Sequence, residues 1–210
     1  MGYHRAGFEI LGVDHEPQPR YPFRFVQGDA LAYLEAHGNE FDAIHASPPC
    51  QIHSQTNNYT PGDTRGHVDL VSPTRAALIR NAKPWIIENV EGAPLRRDIR
   101  LCASGFGLPM RRHRIFEASF PLPLAPPCNH WSNAGAPCKG QNPATFKPGV
   151  FVSPTGNPNK RKGTLKQWLA AMETPWMDRR GVTQAIPPAY TEFLGKALLI
   201  EIRRNQRART

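Results

Sequence analysis

The 210-residue chain has only 4 cysteines, few aromatics (9%) and no apolar run near the ~18 residues that a membrane-spanning helix requires. Its first residues, Met1-Gly2-Tyr3-His4-Arg5, lack the apolar core of a secretory signal. Cysteines this few, without such a signal, argue against a disulfide scaffold and for reduced thiols in a cytoplasmic protein. There are no internal repeats, which sets repeat architectures aside. Acidic residues run short in one half only. Residues 1–110 carry 10 Lys/Arg against 12 Asp/Glu, a net of −2, and residues 111–210 carry 16 against 5, a net of +11. A near-neutral half followed by a strongly basic one suggests that the second half meets a polyanion, nucleic acid first among them. The bland alternative is a solvated tail, because Arg203, Arg204, Arg207 and Arg209 crowd the end. Proline is plentiful, 22 residues, roughly twice the usual share. With 40% hydrophobic and 20% charged residues, the length suits one domain or one domain with a small appendage.

The first hundred residues alternate strand-like and helix-like segments. Residues 8–13 read as a buried strand ending at Asp14, and residues 23–26 as a second ending near Gly28-Asp29, with a helix over 30–36 after it. Residues 41–44 form a third, running into Ser47-Pro48-Pro49-Cys50. A long Gly/Pro/Asn/Thr/His-rich loop over 52–69 follows. Ser72-Pro73 supplies an N-cap and a proline in the first helical position for a helix to about Ala82. Trp85-Ile86-Ile87 is a further buried strand, ending at Glu88-Asn89-Val90. This alternation predicts parallel strands joined by crossover helices, a doubly wound α/β sheet. Residues 111–120 read as a strand, 121–163 as an irregular insertion, 164–172 as a short helix capped by Thr164, and about 189–204 as a final helix.

In an open α/β sheet, ligands sit beyond the carboxyl ends of the strands. Asp14, Asp29, Cys50 and Glu88 all fall there. Acids at early strand ends suit ribose hydroxyls and an adenine amino group, although either alone is more often a helix cap. Cys50 is held by two prolines, and a nucleophilic thiol needs nearby positive charge or a helix dipole to lower its pKa. Glu88 ends an apolar strand, where a carboxyl can stay protonated and act as an acid. A thiol and a carboxyl at neighbouring strand ends suggest covalent addition to a ring with protonation of that ring.

Ser47-Pro48-Pro49-Cys50-Gln51, Glu88-Asn89-Val90 and Arg112-His113-Arg114-Ile115, in that order, closely resemble the DNA (cytosine-5)-methyltransferases. Ala6-Gly7-Phe8-Glu9 with Gly12-Val13-Asp14 resembles the family's segment after its glycine loop, and Thr183-Gln184-Ala185-Ile186-Pro187-Pro188 its C-terminal motif. The likeness spans residues 6–119 and 182–200. It implies a Rossmann-like methyltransferase sheet over 1–120, a short variable target-recognition region over 121–181, and a C-terminal motif, helix and basic tail over 182–210. It also implies S-adenosyl-L-methionine as cofactor and double-stranded DNA as partner. In the implied roles Cys50 adds to cytosine, Glu88 contacts N3, Arg114 contacts the base or the adjacent backbone near the nucleophile with Arg112 helping to order the site, and Asn89 fixes the loop bearing Cys50. Asp14 bonds the cofactor ribose, His15 stacks on adenine, Asp29 accepts from the adenine amino group, and Ala30, Pro49, Gln184 and Ala185 complete the cofactor contacts.

Three departures stand beside the likeness. The family's opening strand and Phe-x-Gly-x-Gly-Gly-like loop have no counterpart from Met1 onward, so the sheet is expected without its first strand. Residues upstream of Met1 or a second chain would then supply it, or the chain is a decayed enzyme reduced to DNA binding; otherwise a monomer is expected. Met110 stands where the family has glutamine, and Thr183-Gln184 where it has Gly-Asn. No metal is expected, because Cys128-x-His130 with Cys138 lacks a second cysteine pair to complete four ligands. Trp131, Phe146, Phe151 and Trp168, interleaved with Lys139, Lys147, Lys160, Arg161 and Lys162, are candidates either for stacking on and gripping DNA or for local packing anchors.

Overall fold

An apolar run bounded by Pro84 and an acid has to be covered on both faces, and Trp85-Ile86-Ile87 is. The computed structural model, which describes residues 1–49, 69–128, 152–154 and 163–208, buries every residue of strand β4 (Trp85–Asn89). Two further strands follow in the chain, β5 (Ile99–Cys102) and β6 (His113–Ala118), and three precede β4: β1 (Leu11–Asp14), β2 (Arg24–Gln27) and β3 (Ile44–Ala46). The helices are α1 (Gly2–Arg5), α2 (Ala30–His37), α3 (Val71–Asn81), α4 (Leu165–Met172), α5 (Arg179–Gln184) and α6 (Pro188–Arg207).

The fold is mixed α/β, and its strands make two sheets rather than one. β1 pairs with β2 in parallel, while the larger sheet has the order β3-β4-β6-β5. Within it β3 and β4 are parallel, but β6 runs antiparallel to both β4 and β5. The all-parallel arrangement expected from strand–helix alternation therefore stops at β4. The connections after it are too short for crossover helices, so the chain reverses. β5 is absent from the sequence reading because it is four residues long and carries Arg100 on its exposed side.

Side chains alternate across the larger sheet. Ile86 and Phe116 face a core completed by Leu101, Met110, Trp168, Tyr190, Leu194 and Leu198. Trp85, Ile87 and Ile115 face the other way, onto Val71 and Leu78 of α3. α6 fits because Tyr190, Leu194 and Leu198 recur every four residues and form one buried stripe. Val152 bridges to Met110, and Trp168 and Met172 of α4 enter the same core, so the described parts of 152–172 pack on the sheet. α4 begins as read, with Thr164 and Gln167 forming a reciprocal capping box. By contrast β1, β2 and α2 hold no buried residue.

α3 starts two residues earlier than Ser72-Pro73 predicts. Leu70 is its N-cap, and the Asp69 carboxylate accepts the Val71 N–H at 3.0 Å. Ser72 and Pro73 occupy the first turn, where a missing N–H costs nothing. β3 likewise begins at Ile44, where residues 41–44 were expected to be the strand. α1 lies against the start of α6 so closely that a Cβ on Gly2 would overlap Pro188 O, and one on Gly195 would sit 2.8 Å from Ala6 Cβ. Among the described residues no helix is long and apolar enough to cross a membrane.

Candidate active site

Glu88 stands one residue before the end of β4, 7% exposed, with Ser47 from the end of β3 and Arg114 from β6 beside it. Arg114 Nε lies 2.9 Å from Glu88 Oε1 as an ion pair, and Ser47 hydrogen-bonds to the same carboxyl group. Burial pushes the Glu88 pKa up; the Arg114 charge, the Ser47 hydrogen bond and the Arg112 charge oppose that rise without cancelling it. The group is thus a carboxyl that keeps its proton to higher pH than usual, at a strand's carboxyl end.

Behind Ser47 lies a chain of polar groups that sequence reading missed. Tyr3 Oη is 2.8 Å from His45 Nδ1, and His45 Nε2 is 3.1 Å from Ser47 Oγ. Burial drives the His45 pKa from 6.5 to about 4 and raises that of Tyr3, where the nearby Glu88 charge adds to the effect. A protonated Tyr3 donates to Nδ1 of a neutral imidazole, whose Nε2–H then donates to Ser47. A histidine inside the apolar run Ala43-Ile44-His45-Ala46 was the available signal.

His45 also makes stability depend on pH. Its folded pKa lies below its unfolded one, so its contribution is complete above about pH 6.5 and is lost as pH falls toward 4, at up to about 1.4 kcal/mol per pH unit. Urea melts between pH 7.5 and 4.5 should show this slope, and His45→Gln should flatten it. An equal slope in the variant would assign it to other groups.

The neighbouring residue organises the chain. Asn89 is 1% exposed; its Nδ2 donates to Pro48 O at 3.0 Å, and its Oδ1 accepts from Val90 N at 2.8 Å. The backbone two residues before Cys50 is thereby tied to the end of β4. Cys50 itself, with Gln51 and residues 52–68 of the long loop read over 52–69, lies outside the described residues, as do Trp131, Phe146, Phe151, Cys138 and the basic residues named with them. Trp168, by contrast, is buried beneath Arg179, whose guanidinium carbon is 5.3 Å from the ring centre. It packs the core and does not face DNA.

Arg112 holds elements together. It is 7% exposed and donates to Pro154 O at 2.9 Å and to Thr183 O at 2.7 Å, while its own carbonyl accepts from Tyr190 Oη. It joins the 152–154 strip, the end of α5 and α6 to β6, so it shapes the site from behind.

The residues expected at the cofactor lie around β1 and β2. Asp14 Oδ1 accepts from Glu16 N at 2.9 Å and lies 3.2 Å from His15 Nδ1; the carboxylate is 43% and the imidazole 78% exposed. Asp29 caps α2, with Oδ1 accepting from Leu31 N and Ala32 N, and Ala30 opens that helix. Glu16 pairs with Arg180 at 2.6 Å, which brings α5, with Gln184 at its end and Ala185 as its C-cap, to the Asp14 turn. Pro49 is exposed beyond β3. An open groove of ≈ 400 Å³ lined by His4, Phe8, Ile10 and Phe23, among others, shares none of these residues.

A buried carboxyl with a raised pKa, paired with arginine, stands at the end of β4, and acids stand at the end of β1 and just past β2, at the start of α2. No family model matches the chain. Over 61 residues it is 38% identical to the Ribosomal RNA large subunit methyltransferase K/L of Pseudoalteromonas atlantica, a match covering 29% of this chain and 8% of that protein. The similarity carries nothing about cytosine, its C5 position or DNA.

Proposed function

We propose that the chain is an S-adenosyl-L-methionine-dependent methyltransferase acting on C5 of cytosine in double-stranded DNA, with a Rossmann-like sheet and a short irregular target-recognition region. The observation that carries this reading is the buried Glu88–Arg114 pair beside the Asn89–Pro48 clamp, which sets the backbone leading to Cys50 next to a carboxyl able to give a proton. Cys50 thiolate adds to C6 of the ring while Glu88 protonates or hydrogen-bonds N3, placing electron density on C5. The cofactor supplies an electrophilic methyl group there. Loss of the C5 proton to solvent, return to Glu88 of any proton taken up by N3, and elimination of the Cys50 thiolate would then restore the aromatic ring, with S-adenosyl-L-homocysteine as the other product. A base inside a duplex cannot reach Glu88, so it must first be flipped out.

The donor set fits the cofactor. Asp14 keeps a half-exposed carboxylate at the end of β1, with lone pairs to spare for ribose hydroxyls, and His15 offers an exposed ring beside it. Asp29 spends one oxygen on its helix cap, which leaves the carboxylate capacity for an amino group.

A duplex carrying 5-fluorocytosine tests the reading. Attack by Cys50 should trap the protein covalently, and Cys50→Ala should abolish both the adduct and transfer of labelled methyl groups. Absence of adduct and of transfer would refute it, whereas transfer to RNA and none to DNA would move it to the substrate class named for the relative. A second reading, a DNA-binding remnant or half of a split enzyme, is favoured by the divided sheet. Among the described residues β1 and β3 each pair with one strand, which leaves edges where a further strand would join. It predicts salt-sensitive DNA binding with no calorimetric signal from S-adenosyl-L-methionine.

A further inference from the structure

We propose that Cys102, His113 and Cys128 bind a zinc ion that fastens the 121–128 segment to the end of the β5–β6 hairpin. Cys102 closes β5 and His113 opens β6, and the two are direct partners in the antiparallel register. Cys128 arrives from the segment after β6. The Sγ, imidazole nitrogen and Sγ of this trio all lie within 4.8 Å of one another. Cys128 Sγ is 3.5 Å from His113 Nε2. Zinc bonds of about 2.3 Å to sulfur and 2.0 Å to nitrogen at a tetrahedral angle give an S···N edge of about 3.5 Å. Two thiols and an imidazole are a soft donor set that suits zinc and does not suit magnesium or calcium.

The surroundings support ligation. With Nε2 turned to the thiols, the other ring nitrogen of His113 faces a carboxylate, Nδ1 lying 3.6 Å from Glu91 Oε2. A carboxylate behind a histidine ligand fixes its tautomer and raises its basicity. Arg100 Nη2, 3.9 Å from Cys128 Sγ, adds a cation that favours the thiolate. Cys102 is 1% exposed, so a charge there requires compensation from within the protein. Cys128 is seated by backbone packing as well. A Cβ on Gly105 would lie 3.0 Å from Pro126 O and 3.1 Å from Pro127 O, so the segment passes close against the β5–β6 connection.

Neither sequence spacing resembles a zinc knuckle, and the different set that the sequence offers, Cys128, His130 and Cys138, is read there as no metal site. The last two of these lie outside the described residues. The three protein ligands leave the fourth tetrahedral position to water or another oxygen or nitrogen donor, and the ion acts as a clamp. It would fix the root of the basic stretch beyond residue 128 beside Arg112 and Arg114, and it stands whether or not the methylation reading does.

Metal analysis of the full chain, purified from zinc-supplemented medium without chelator, should find about one zinc per chain. X-ray absorption should show two sulfur neighbours, with nitrogen or oxygen completing the shell. Cobalt(II) substitution should give a thiolate charge-transfer band. Cys128→Ser, at a partly exposed position, should lower retained zinc at least about tenfold after dialysis. His113→Cys should keep the metal and strengthen the cobalt charge-transfer band, a gain that misfolding cannot mimic. Chelation of the wild type should lower its melting temperature and open the 121–128 segment to protease. A wild-type chain that takes up no zinc on titration would overturn the proposal, as would zinc content unchanged by Cys128→Ser. A Cys102–Cys128 disulfide in protein prepared under reducing conditions would do so too.

Discussion

Glu88→Gln is expected to lower methyl transfer to cytosine by about 10²–10⁴-fold, the usual share of a positioned general acid. The substitution keeps volume and shape, so the partners on every side can stay in place: Ser47 still finds an oxygen, and Arg114 still meets a carbonyl acceptor. What disappears is a proton available for N3. Because burial raises the Glu88 pKa, the wild-type rate should also fall as pH rises through that elevated value, since the acid is then spent. Glutamine has nothing to lose in that range, so the variant's residual rate should lack the fall. Matched pH–rate profiles for the two proteins read this directly. An unchanged rate, or the same alkaline fall in both, would remove Glu88 from the chemistry and with it the proposed protonation of the ring.

The end of β4 was the most legible part of the chain. Trp85-Ile86-Ile87 had to be buried, so an acid and an amide directly after them required partners, and these now have names: Arg114, Ser47 and Pro48. α4 was equally readable, because capping is local chemistry between residues three apart. Tertiary pairing was not readable. Tyr3 and His45 meet across 42 residues, and the Arg112 bond to Thr183 spans 71. Trp168 looked like a DNA-stacking aromatic, yet its helical spacing with Ala171 and Met172 turns it into the core. The division of the described strands into two sheets was not readable in the sequence. That β1, β2 and α2 hold no buried residue is its packing counterpart, since a sheet of two strands cannot cover both its faces and its edges. Cys102 and His113 escaped notice because antiparallel register, which joins them, leaves no fixed spacing in sequence.

Arg75→Met is expected to destabilise the fold by about 3 kcal/mol, the cost of leaving a buried carboxylate without its partner. Glu117 lies in β6 with its side chain 2% exposed, and Arg75 of α3 grips it with both prongs, Nε to Oε1 at 2.8 Å and Nη2 to Oε2 at 2.7 Å. The Arg96 N–H adds a third bond at 2.9 Å. Burial alone would raise the Glu117 pKa, but the Arg75 hydrogen bonds, the Arg96 N–H and the two guanidinium charges outweigh it and hold the carboxyl below its ordinary value. The linked stability is therefore present above about pH 4.5 and is lost as pH falls through the lowered pKa. Arg75 is itself 26% exposed, so solvent shares in its charge and the pair is worth less than a fully buried one. The double variant Arg75→Met/Glu117→Leu separates the two contributions. It removes the stranded charge together with its partner, and should recover most of the loss if desolvation of Glu117 is the cause. Urea denaturation at pH 7 of the wild type, both single variants and the double variant closes the cycle. A double variant no more stable than Arg75→Met would show instead that α3 is held to β6 by the ion pair itself.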